Sequence, residues 1–423
     1  MNYISTQDKN EVVSFKDAVI SGLAKNKALF MPESIPTLPQ YFFENIDQLE
    51  NNQIAFEVLN PYVKDSIDKN NLINIIAETL TFPTPVVHLN NNIYVLELFH
   101  GPTKAFKDVG ARFMSRCMSR FVNNGREVTI LVATSGDTGS AVANGFYDVD
   151  GINVVILFPK GKVSQYQEHQ MTSLGKNITA IEIEGSFDDC QALVKQAFVD
   201  SELNNKMNLS SANSINIARL LPQMLYYFFA YKELKKDNKP IVVSVPSGNF
   251  GNLTAGVIGK KMGLPIERFV AATNSNDTFT KYLNTGIYTP KSSVSTYSNA
   301  MDVGAPSNFE RLMHIYNNDL IQIKKDITSE SIDDITTLEQ IKNTKLQDNY
   351  ILDPHGAVGK TCLVNNLMKD EIGIFLETAH PKKFESVVQK VLFDFPSNEV
   401  NMKICNKESI ANSYTDLIAL LNK

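Results

Sequence analysis

Residues 128–145, VTILVATSGDTGSAVANG, decide the fold class. A run of β-branched and apolar residues, typical of a strand that is buried on both faces, leads directly into a glycine-containing turn and then into a helical pattern. Residues 241–256, IVVSVPSGNFGNLTAG, repeat this arrangement of strand, turn and helix. Units of this kind predict a parallel sheet covered by helices, so we expect an α/β fold.

Further apolar runs continue the alternation from about residue 128 onward. The segments INVVILF, ITAIEIE, FVAAT and IGIFLE each have the pattern of a buried strand. Between them lie two helical patterns, DDCQALVKQAFVDSEL and ARLLPQMLYYFFAYKELKK. The first has acidic residues at its start and the second has lysines at its end, as the helix dipole favours.

Residues 1–80 have a different pattern. FKDAVISGL and NLINIIAETL are helical patterns on either side of the proline-punctuated loop MPESIPTLPQYF, and no strand alternation accompanies them. We therefore expect a mostly helical N-terminal domain over residues 1–80. The polar stretch 326–349, which is poor in aromatic residues, predicts a solvent-facing helix pair at the periphery.

Composition excludes several classes of protein. A chain of 423 residues has enough material for two or three folding units, and its net charge of −6 disfavours a basic nucleic-acid surface. The four cysteines, Cys117, Cys190, Cys362 and Cys405, form no CxxC pair, which argues against a zinc site and structural disulfides. The N-terminus has no leader pattern, and no apolar run approaches the ~18 residues of a membrane span. We expect a cytoplasmic protein without nucleic-acid or membrane partners.

Both glycine turns are candidate anion sites. Backbone N–H groups converge in such a turn, and the following helix contributes its positive end. Glycine is required because a Cβ would block close approach of the backbone to phosphate or carboxylate oxygens. A turn of this type also occurs as plain turn chemistry, so each alone is a weak signal. Two in one chain, each rich in hydroxyl and amide side chains, strengthen the functional interpretation.

Common catalytic motifs are missing. Neither turn has the GxGxxG pattern of a dinucleotide site, which disfavours a nicotinamide enzyme. Residues 353–361, DPHGAVGKT, imitate the end of a P-loop, but Pro354 stands where the first glycine should be and removes an N–H. The six histidines show no metal-ligand spacing, and no GxSxG elbow is present.

Residues 100–110, HGPTKAFKDVG, contain two candidate reactive lysines, Lys104 and Lys107. A lysine flanked by Ala105 and Phe106 is a candidate for desolvation, which lowers its pKa toward the neutral amine that a Schiff base requires. The ordinary alternative is a lysine at a helix start with its ammonium in water. The local sequence does not choose between the two lysines.

Five segments in order, HGPTKAFKD, ATSGDTGSAV, NSINIARLLPQ, PSGNFGNLTAG and ETAHPKKF, closely resemble the threonine synthase family, part of the fold-type-II pyridoxal-phosphate enzymes. The resemblance covers nearly the whole chain. It implies an N-terminal domain over residues 1–80 and a catalytic region over residues 81–423. Within that region, two α/β domains enclose the cofactor: a smaller one at about 110–215 and a larger one formed by the rest.

The resemblance also implies an activity: a pyridoxal-phosphate-dependent carbon-oxygen lyase that converts O-phospho-L-homoserine and water to L-threonine and phosphate, in threonine biosynthesis. The alternatives are a phospho-lyase or serine/threonine dehydratase-like enzyme of the same fold, and a catalytically silent relative. We expect a monomer or homodimer, pyridoxal phosphate as cofactor and no metal.

Site residues are implied by the same resemblance. Lys107 matches the lysine that holds pyridoxal phosphate as an internal aldimine, and Thr378 matches the hydroxyl that faces its pyridine nitrogen. A hydroxyl can donate to a neutral nitrogen but cannot hold it protonated as a carboxylate would. The residues of the cofactor-phosphate loop are Ser247, Gly248, Asn249, Phe250, Gly251 and Asn252.

Two further groups are implied to bind substrate. The loop for the substrate carboxylate comprises Ser135, Gly136, Asp137 and Thr138, and the pocket for the substrate phosphate comprises Asn213, Ser214 and Arg219. Arginine suits that pocket because its planar fork binds phosphate oxygens bidentately. The ordinary alternatives are a helix N-cap for Asn213 and Ser214, and a surface cation for Arg219. Relatives more often have an apolar residue at the position of Lys104. We expect the ammonium of Lys104 at the mouth of the cleft.

Overall fold

The computed structural model describes residues 1–122, 127–397 and 407–422, which form three sheets. The strands are β1 (Tyr3–Ser5), β2 (Val12–Val13), β3 (Phe30–Pro32), β4 (Val86–Asn90), β5 (Ile93–Glu97), β6 (Val128–Ala133), β7 (Ile152–Pro159), β8 (Ile178–Glu184), β9 (Leu209–Ser210), β10 (Ile241–Pro246), β11 (Arg268–Thr273), β12 (Ile327–Ser331), β13 (Ile372–Glu377) and β14 (Lys407–Ala411).

Two parallel sheets form the centre of the molecule. The larger has the order β12-β11-β10-β13-β5-β4 and is parallel except for the β4–β5 pair. The smaller has the order β14-β8-β7-β6-β9 and is parallel throughout. Every residue of β6, β10 and β13 is buried, which explains their unbroken apolar sequences. The predicted α/β fold is confirmed.

Helices cover both faces of these sheets. They are α1 (Phe15–Ser21), α2 (Gln40–Glu44), α3 (Asn51–Val63), α4 (Lys69–Thr79), α5 (Lys107–Phe121), α6 (Asp137–Phe146), α7 (Gln165–Thr172), α8 (Phe187–Val199), α9 (Ser201–Met207), α10 (Ile217–Leu220), α11 (Met224–Leu234), α12 (Gly251–Lys261), α13 (Thr278–Thr285), α14 (Phe309–Ile315), α15 (Leu320–Asp326), α16 (Asp334–Asp348), α17 (Pro354–Asn366), α18 (Glu385–Val388) and α19 (Tyr414–Leu421). Short 3-10 turns lie at Ile46–Gln48, Leu221–Gln223, Lys235–Asp237, Asn299–Met301 and Pro381–Phe384.

Two predictions from the sequence need revision. The N-terminal region contains the predicted helices, but it also has a small antiparallel sheet of order β2-β1-β3. The helix pair predicted over 326–349 is wrong, because residues 327–331 form strand β12 and only α16 follows. Strand β12 pairs with β11 at the edge of the larger sheet, where four of its five residues are only partly buried, so it lacks the apolar run of a central strand.

Arg311 connects the N-terminal region to the segment that contains Ser214 and Ile215. Its side chain is fully buried and donates to the backbone oxygens of Phe30 (3.0 Å), Ser214 (3.0 Å) and Ile215 (2.6 Å). Burial lowers its pKa to about 9, which still leaves it a cation at neutral pH. One buried cation therefore holds strand β3 and the segment around residue 214 in fixed relative positions.

Cys117, Cys190 and Cys362 are buried and free, whereas Cys405 lies outside the described residues. None of the helices in the described part of the chain has the length and apolar character needed to cross a membrane. Within residues 1–122, 127–397 and 407–422, no group of three His, Cys, Asp or Glu side chains is placed to hold a metal ion.

Candidate active site

A cavity of about 280 Å³ lies between the two parallel sheets, at the carboxyl ends of β6 and β10. Ligand sites of α/β proteins commonly form at this edge. The structure brings most of the predicted site residues together in its wall: Lys107, Ser135, Asp137, Thr138, Asn213, Ser214, Arg219, Gly248, Asn249, Phe250, Gly251, Asn252 and Thr378. Gly136 and Ser247 belong to the same loops but do not form part of the wall.

Lys107 begins helix α5 and its side chain is largely buried, with 17% of its surface exposed. Its Nζ lies 3.7 Å from Oδ2 of Asp137 and 4.8 Å from the centre of the Phe106 ring. Burial lowers the pKa of Lys107, and the cations Lys383 and Arg219 add to that effect while Asp137 opposes it. The structure therefore places an amine that loses its proton readily on the cavity wall.

Asp137 begins helix α6 and binds a second lysine, Lys383, which was not among the site residues predicted from the sequence. Lys383 Nζ lies 2.6 Å from Oδ1 of Asp137 and 2.9 Å from the backbone oxygen of Thr103. Burial alone would raise the pKa of Asp137, but Lys383 and then Lys107 hold it far below its usual range. The motif ETAHPKKF contains Lys383, yet nothing in its local pattern indicates that this side chain points inward.

The loop between β6 and α6 has the geometry of an anion site. The Thr134 hydroxyl accepts the N–H groups of Gly136 (2.9 Å) and Gly139 (2.8 Å), which fixes the turn. Gly136 has a φ of 133°, and a Cβ there would lie 2.4 Å from the Gln167 side chain, so only glycine fits. The positive end of α6 thus faces the cavity.

The loop between β10 and α12 is a second anion site. Phe250 adopts a left-handed conformation (φ 58°) and directs the chain into α12, whose N-terminus opens on the cavity. A Cβ on Gly248 would lie 2.7 Å from the Met301 Cα, so the two backbone segments meet only because residue 248 is glycine. Asn252 is buried, and its Nδ2 has no partner in the described structure. An unsatisfied donor beside a helix N-terminus suits a phosphate-bearing cofactor.

Arg219 is a buried cation on the cavity wall and not a surface cation. It is 2% exposed, its guanidinium donates to the backbone oxygen of Ala212, and its Nε has no partner among the described residues. Burial lowers its pKa to about 10, which leaves it charged. The N-cap of α10 is Asn216, so the alternative interpretation of Asn213 and Ser214 as an N-cap is also wrong.

His355 on the cavity wall has a role that no local sequence pattern indicates. His355 Nδ1 lies 2.5 Å from Oδ1 of Asp353, and its Nε2 accepts the N–H of Ala300 at 3.1 Å. The histidine therefore holds the turn at Asn299–Met301 against the Gly248 loop. Its motif, DPHGAVGKT, resembles a P-loop in sequence only. Lys360 of that motif is buried inside α17 and paired with Asp348, so it is not a phosphate ligand.

Lys104 is not among the described residues that line the cavity. It adopts a left-handed conformation (φ 55°), and its Nζ lies over the ring of Tyr166, 5.5 Å from the ring centre. Of the two lysines that the local sequence left open, the fold places only Lys107 on the cavity wall.

The buried lysine, the two anion loops and the paired parallel sheets define an enzyme of the pyridoxal-phosphate-dependent class with fold type II. A family model described as pyridoxal-phosphate dependent enzyme matches residues 77–372, and one described as threonine synthase N terminus matches residues 2–80. The chain belongs to the threonine synthase family. This confirms the resemblance, the enzyme class and the cofactor predicted from the sequence.

Individual relatives match over almost their full length. Threonine synthase of Haemophilus influenzae is 46% identical over 399 residues, covering 93% of this chain and 91% of the relative. The crystal structure of threonine synthase from Escherichia coli has a TM-score of 0.93 at 41% identity and covers 100% of this chain and 99% of its own. A pyridoxal-phosphate-bound threonine synthase from Brucella melitensis has a TM-score of 0.93 at 33% identity, covering 100% of this chain and 98% of its own.

Proposed function

We propose that the enzyme converts O-phospho-L-homoserine and water to L-threonine and phosphate, with Lys107 as the residue that carries pyridoxal phosphate. The observation that carries the proposal is the position of Lys107: it lies on one cavity wall together with two helix-backed anion loops and the buried cation Arg219. A substrate with a carboxylate, an amine and a phosphate needs this combination of sites.

The residues that would hold the cofactor fit its chemistry. Pyridoxal phosphate supplies an electron sink that stabilises negative charge at the substrate Cα. The N-terminus of α12 and the loop residues 247–252 would bind its phosphate, because backbone N–H groups and the positive helix end converge there. Thr378 on the cavity wall would donate its hydroxyl to the ring nitrogen.

The remaining wall would bind substrate at both ends. The loop of Ser135, Gly136, Asp137 and Thr138, which begins α6, would bind the carboxylate with backbone N–H groups as donors, although the N–H of Gly136 already donates to the Thr134 hydroxyl. Arg219 would bind the phosphate through its free Nε edge, with Asn213 and Ser214 beside it. A phosphorylated amino acid would occupy both sites, whereas free serine or threonine has no phosphate to pair with Arg219.

Lys107 would then move the protons of the reaction. With pyridoxal phosphate bound, the neutral Nζ of Lys107 would accept the proton from the substrate Cα and would afterwards move protons at Cβ and Cγ. Phosphate leaves from Cγ and water adds at Cβ, which balances the conversion to threonine. The lowered pKa of Lys107 supports this role, because an amine that stayed protonated could not accept the first proton.

An assay of both products tests the proposal. We expect inorganic phosphate and threonine to form in equal amounts from O-phospho-L-homoserine, and borohydride reduction to fix the cofactor on the peptide that contains Lys107. Release of phosphate with 2-oxobutyrate and without threonine would instead identify a lyase that does not hydrate its intermediate. A purified protein that takes up no pyridoxal phosphate would identify a catalytically silent relative.

The domain division extends this proposal. We assign residues 1–80 to the N-terminal domain and the smaller α/β subdomain to about 110–215, which contains β6 to β9; strand β14 pairs with β8 and so joins the same sheet. The cavity between the two sheets would then lie between the subdomains. A cytoplasmic location and a monomer or homodimer stay predictions.

A further inference from the structure

One carboxylate lies between two buried lysines that come from separate parts of the chain. Asp137 begins α6, Lys107 begins α5, and Lys383 lies in the 3-10 turn that follows β13. Lys383 Nζ is 2.6 Å from Oδ1 of Asp137, whereas Lys107 Nζ is 3.7 Å from Oδ2. The carboxylate is therefore bound closely by Lys383 and more loosely by the reactive lysine.

The burial of Lys383 is unusual for a cation. Its side chain has no exposed surface, and its two acceptors are the Asp137 carboxylate and the backbone oxygen of Thr103, at 2.9 Å. A buried ammonium costs several kcal/mol unless it is paired, and a well-packed apolar residue would usually serve stability as well. A lysine at this position therefore calls for an explanation in addition to stability.

The orientation of the Asp137 carboxylate is fixed by its neighbours. Oδ1 accepts from Lys383 and also from Nε2 of Gln167, at 2.9 Å. Gln167 is itself held by a capping box with Ser164 at the start of α7. With Oδ1 occupied twice, Oδ2 is left to face Lys107.

We propose that Lys383 is a positioning residue for the reaction: it holds the Asp137 carboxylate with one oxygen toward Lys107, and its charge keeps that carboxylate from retaining the Lys107 proton. This proposal rests on the proposed function, in that Lys107 is the lysine that binds the cofactor. Without Lys383, Asp137 would have a single cationic partner and would stabilise the protonated form of Lys107.

The charged groups around the two lysines also favour a lowered pKa of Lys107. Asp137, Lys383 and Arg219 face Lys107, and the two cations both lower its pKa against the single carboxylate. Asp137, Asp108 and the phenol of Tyr166 interact electrostatically with Lys383. Thr103 connects Asp108 to this network, because its N–H donates to Oδ2 of Asp108 at 2.9 Å while its carbonyl accepts from Lys383.

The test is a spectroscopic pH titration of the holoenzyme, in which the visible absorption band of the bound cofactor reports protonation of the Lys107 nitrogen. Lys383→Gln retains hydrogen-bond donors but removes the charge. We expect it to raise the pKa of that nitrogen by about one unit or more. The matched control Lys383→Arg retains the charge and should titrate like the wild type. At neutral pH, Lys383→Gln should lower kcat about tenfold with a smaller change in KM.

Asp137→Asn should have the opposite effect. Removal of the carboxylate leaves both cations, Lys383 and Arg219, facing Lys107, and should lower the pKa of the Lys107 nitrogen. Lys383→Gln with an unshifted or lowered pKa would overturn the proposal. If Lys383→Gln does not accumulate as folded protein, Asp137→Asn decides alone, and an unchanged or raised pKa in that variant would overturn it. A wild-type protein without a cofactor band would instead contradict the proposed function, so the two failures are distinguishable.

Discussion

Lys107 Nζ lies 3.7 Å from Oδ2 of Asp137, and each of the two residues begins a helix. The positive end of a helix favours the carboxylate of Asp137 and disfavours the ammonium of Lys107. The two residues therefore form a pair in which the carboxylate keeps its charge while the lysine gives up its proton readily. This pair lies at the meeting point of the two parallel sheets, where the substrate would bind.

Replacing Lys107 tests the main assignment. Lys107→Ala should abolish turnover and the visible cofactor band, because the other lysines on the described cavity wall, Lys195 and Lys291, are exposed and not largely buried as Lys107 is. Lys104→Leu is the matched control, since Lys104 points to the Tyr166 ring outside the wall and should retain both properties. Absorption spectra and a phosphate-release assay check this prediction. The opposite behaviour of the two variants would show that the assignment is wrong.

Arg219 should determine affinity for the substrate phosphate. Arg219→Lys retains a positive charge but loses the planar fork and the free Nε edge, so KM should rise by about 10- to 100-fold, as expected for a lost charged hydrogen bond. Arg112→Lys is the control, because its guanidinium donates to Glu78 and Thr81 outside the cavity. Steady-state kinetics measure the effect. Equal KM values in the two variants would remove Arg219 from the phosphate pocket.

Position 248 should tolerate no residue other than glycine. In Gly248→Ala the new Cβ would lie 2.7 Å from the Met301 Cα and 2.8 Å from the Ala300 backbone oxygen, so two backbone segments must separate. We expect cofactor affinity to fall by at least about tenfold. In Gly259→Ala, within α12, the closest contact is a ring carbon of Phe228 at 3.3 Å, which a small ring movement relieves. Equilibrium titration of each variant with pyridoxal phosphate measures the difference, and equal affinities would contradict the prediction.

His380 should make stability depend on pH, with Lys104 contributing. Burial, followed by the cations Lys104 and Lys382, lowers the pKa of His380 from 6.5 to about 4. Between these values the unfolded chain binds more protons than the folded one, so the free energy of unfolding falls as pH drops from 6.5 toward 4 and is fully retained above 6.5. His380 is partly exposed, so solvent screens its charge. The loss of unfolding free energy should therefore be smaller than the about 1.4 kcal/mol per pKa unit expected of an unscreened group.

Urea unfolding at pH 5 and pH 7.5 measures this dependence. Lys104→Leu removes one of the two cations and should make the loss of stability at pH 5 smaller than in the wild type. A larger loss of stability at pH 5 in Lys104→Leu than in the wild type would contradict the prediction that Lys104 lowers the pKa of His380. The experiment also tests an electrostatic role for Lys104, the unusual residue of its motif.

Six of the strands, β6, β7, β8, β10, β11 and β13, and both glycine loops were predictable because their signals are local. An unbroken apolar run such as β6 identifies a buried strand, and the glycines that follow it identify a close turn. The edge strand β12 was predicted as helix because its polar residues lack that run. The choice between Lys104 and Lys107 also needed the fold, since the two share one short segment.

Lys383 and His355 were not predictable from local patterns. Lys383 acts through Asp137, which begins the helix that follows β6 of the smaller sheet, and no spacing along the chain reveals that contact. His355 acts by holding the N–H of Ala300 in a separate loop. Both depend on how the two sheets meet, and that is a property of the whole fold.

The start of α17 should tolerate an added methyl group poorly. A Cβ on Gly356 would lie 1.5 Å from Oε2 of Glu377, a fully buried carboxyl whose Oε1 accepts the N–H of Asp353 at 2.6 Å. The Glu377 carboxyl cannot move away without breaking its hydrogen bond to the Asp353 N–H. Gly356→Ala should therefore lower the free energy of unfolding by about 3 kcal/mol.

Gly359→Ala, one turn farther along the same helix, is the control for that substitution. Its Cβ would meet a Pro246 ring carbon at 3.2 Å, and the cost of this contact is offset by the better helix propensity of alanine, about 1 kcal/mol. Pairing Gly356→Ala with Glu377→Asp, which shortens the obstructing side chain, should recover part of the loss and give a positive coupling in a double-mutant cycle. Urea midpoints of the four proteins measure the coupling. If Gly356→Ala is no less stable than Gly359→Ala, then Glu377 does not occupy the position that the structure gives it.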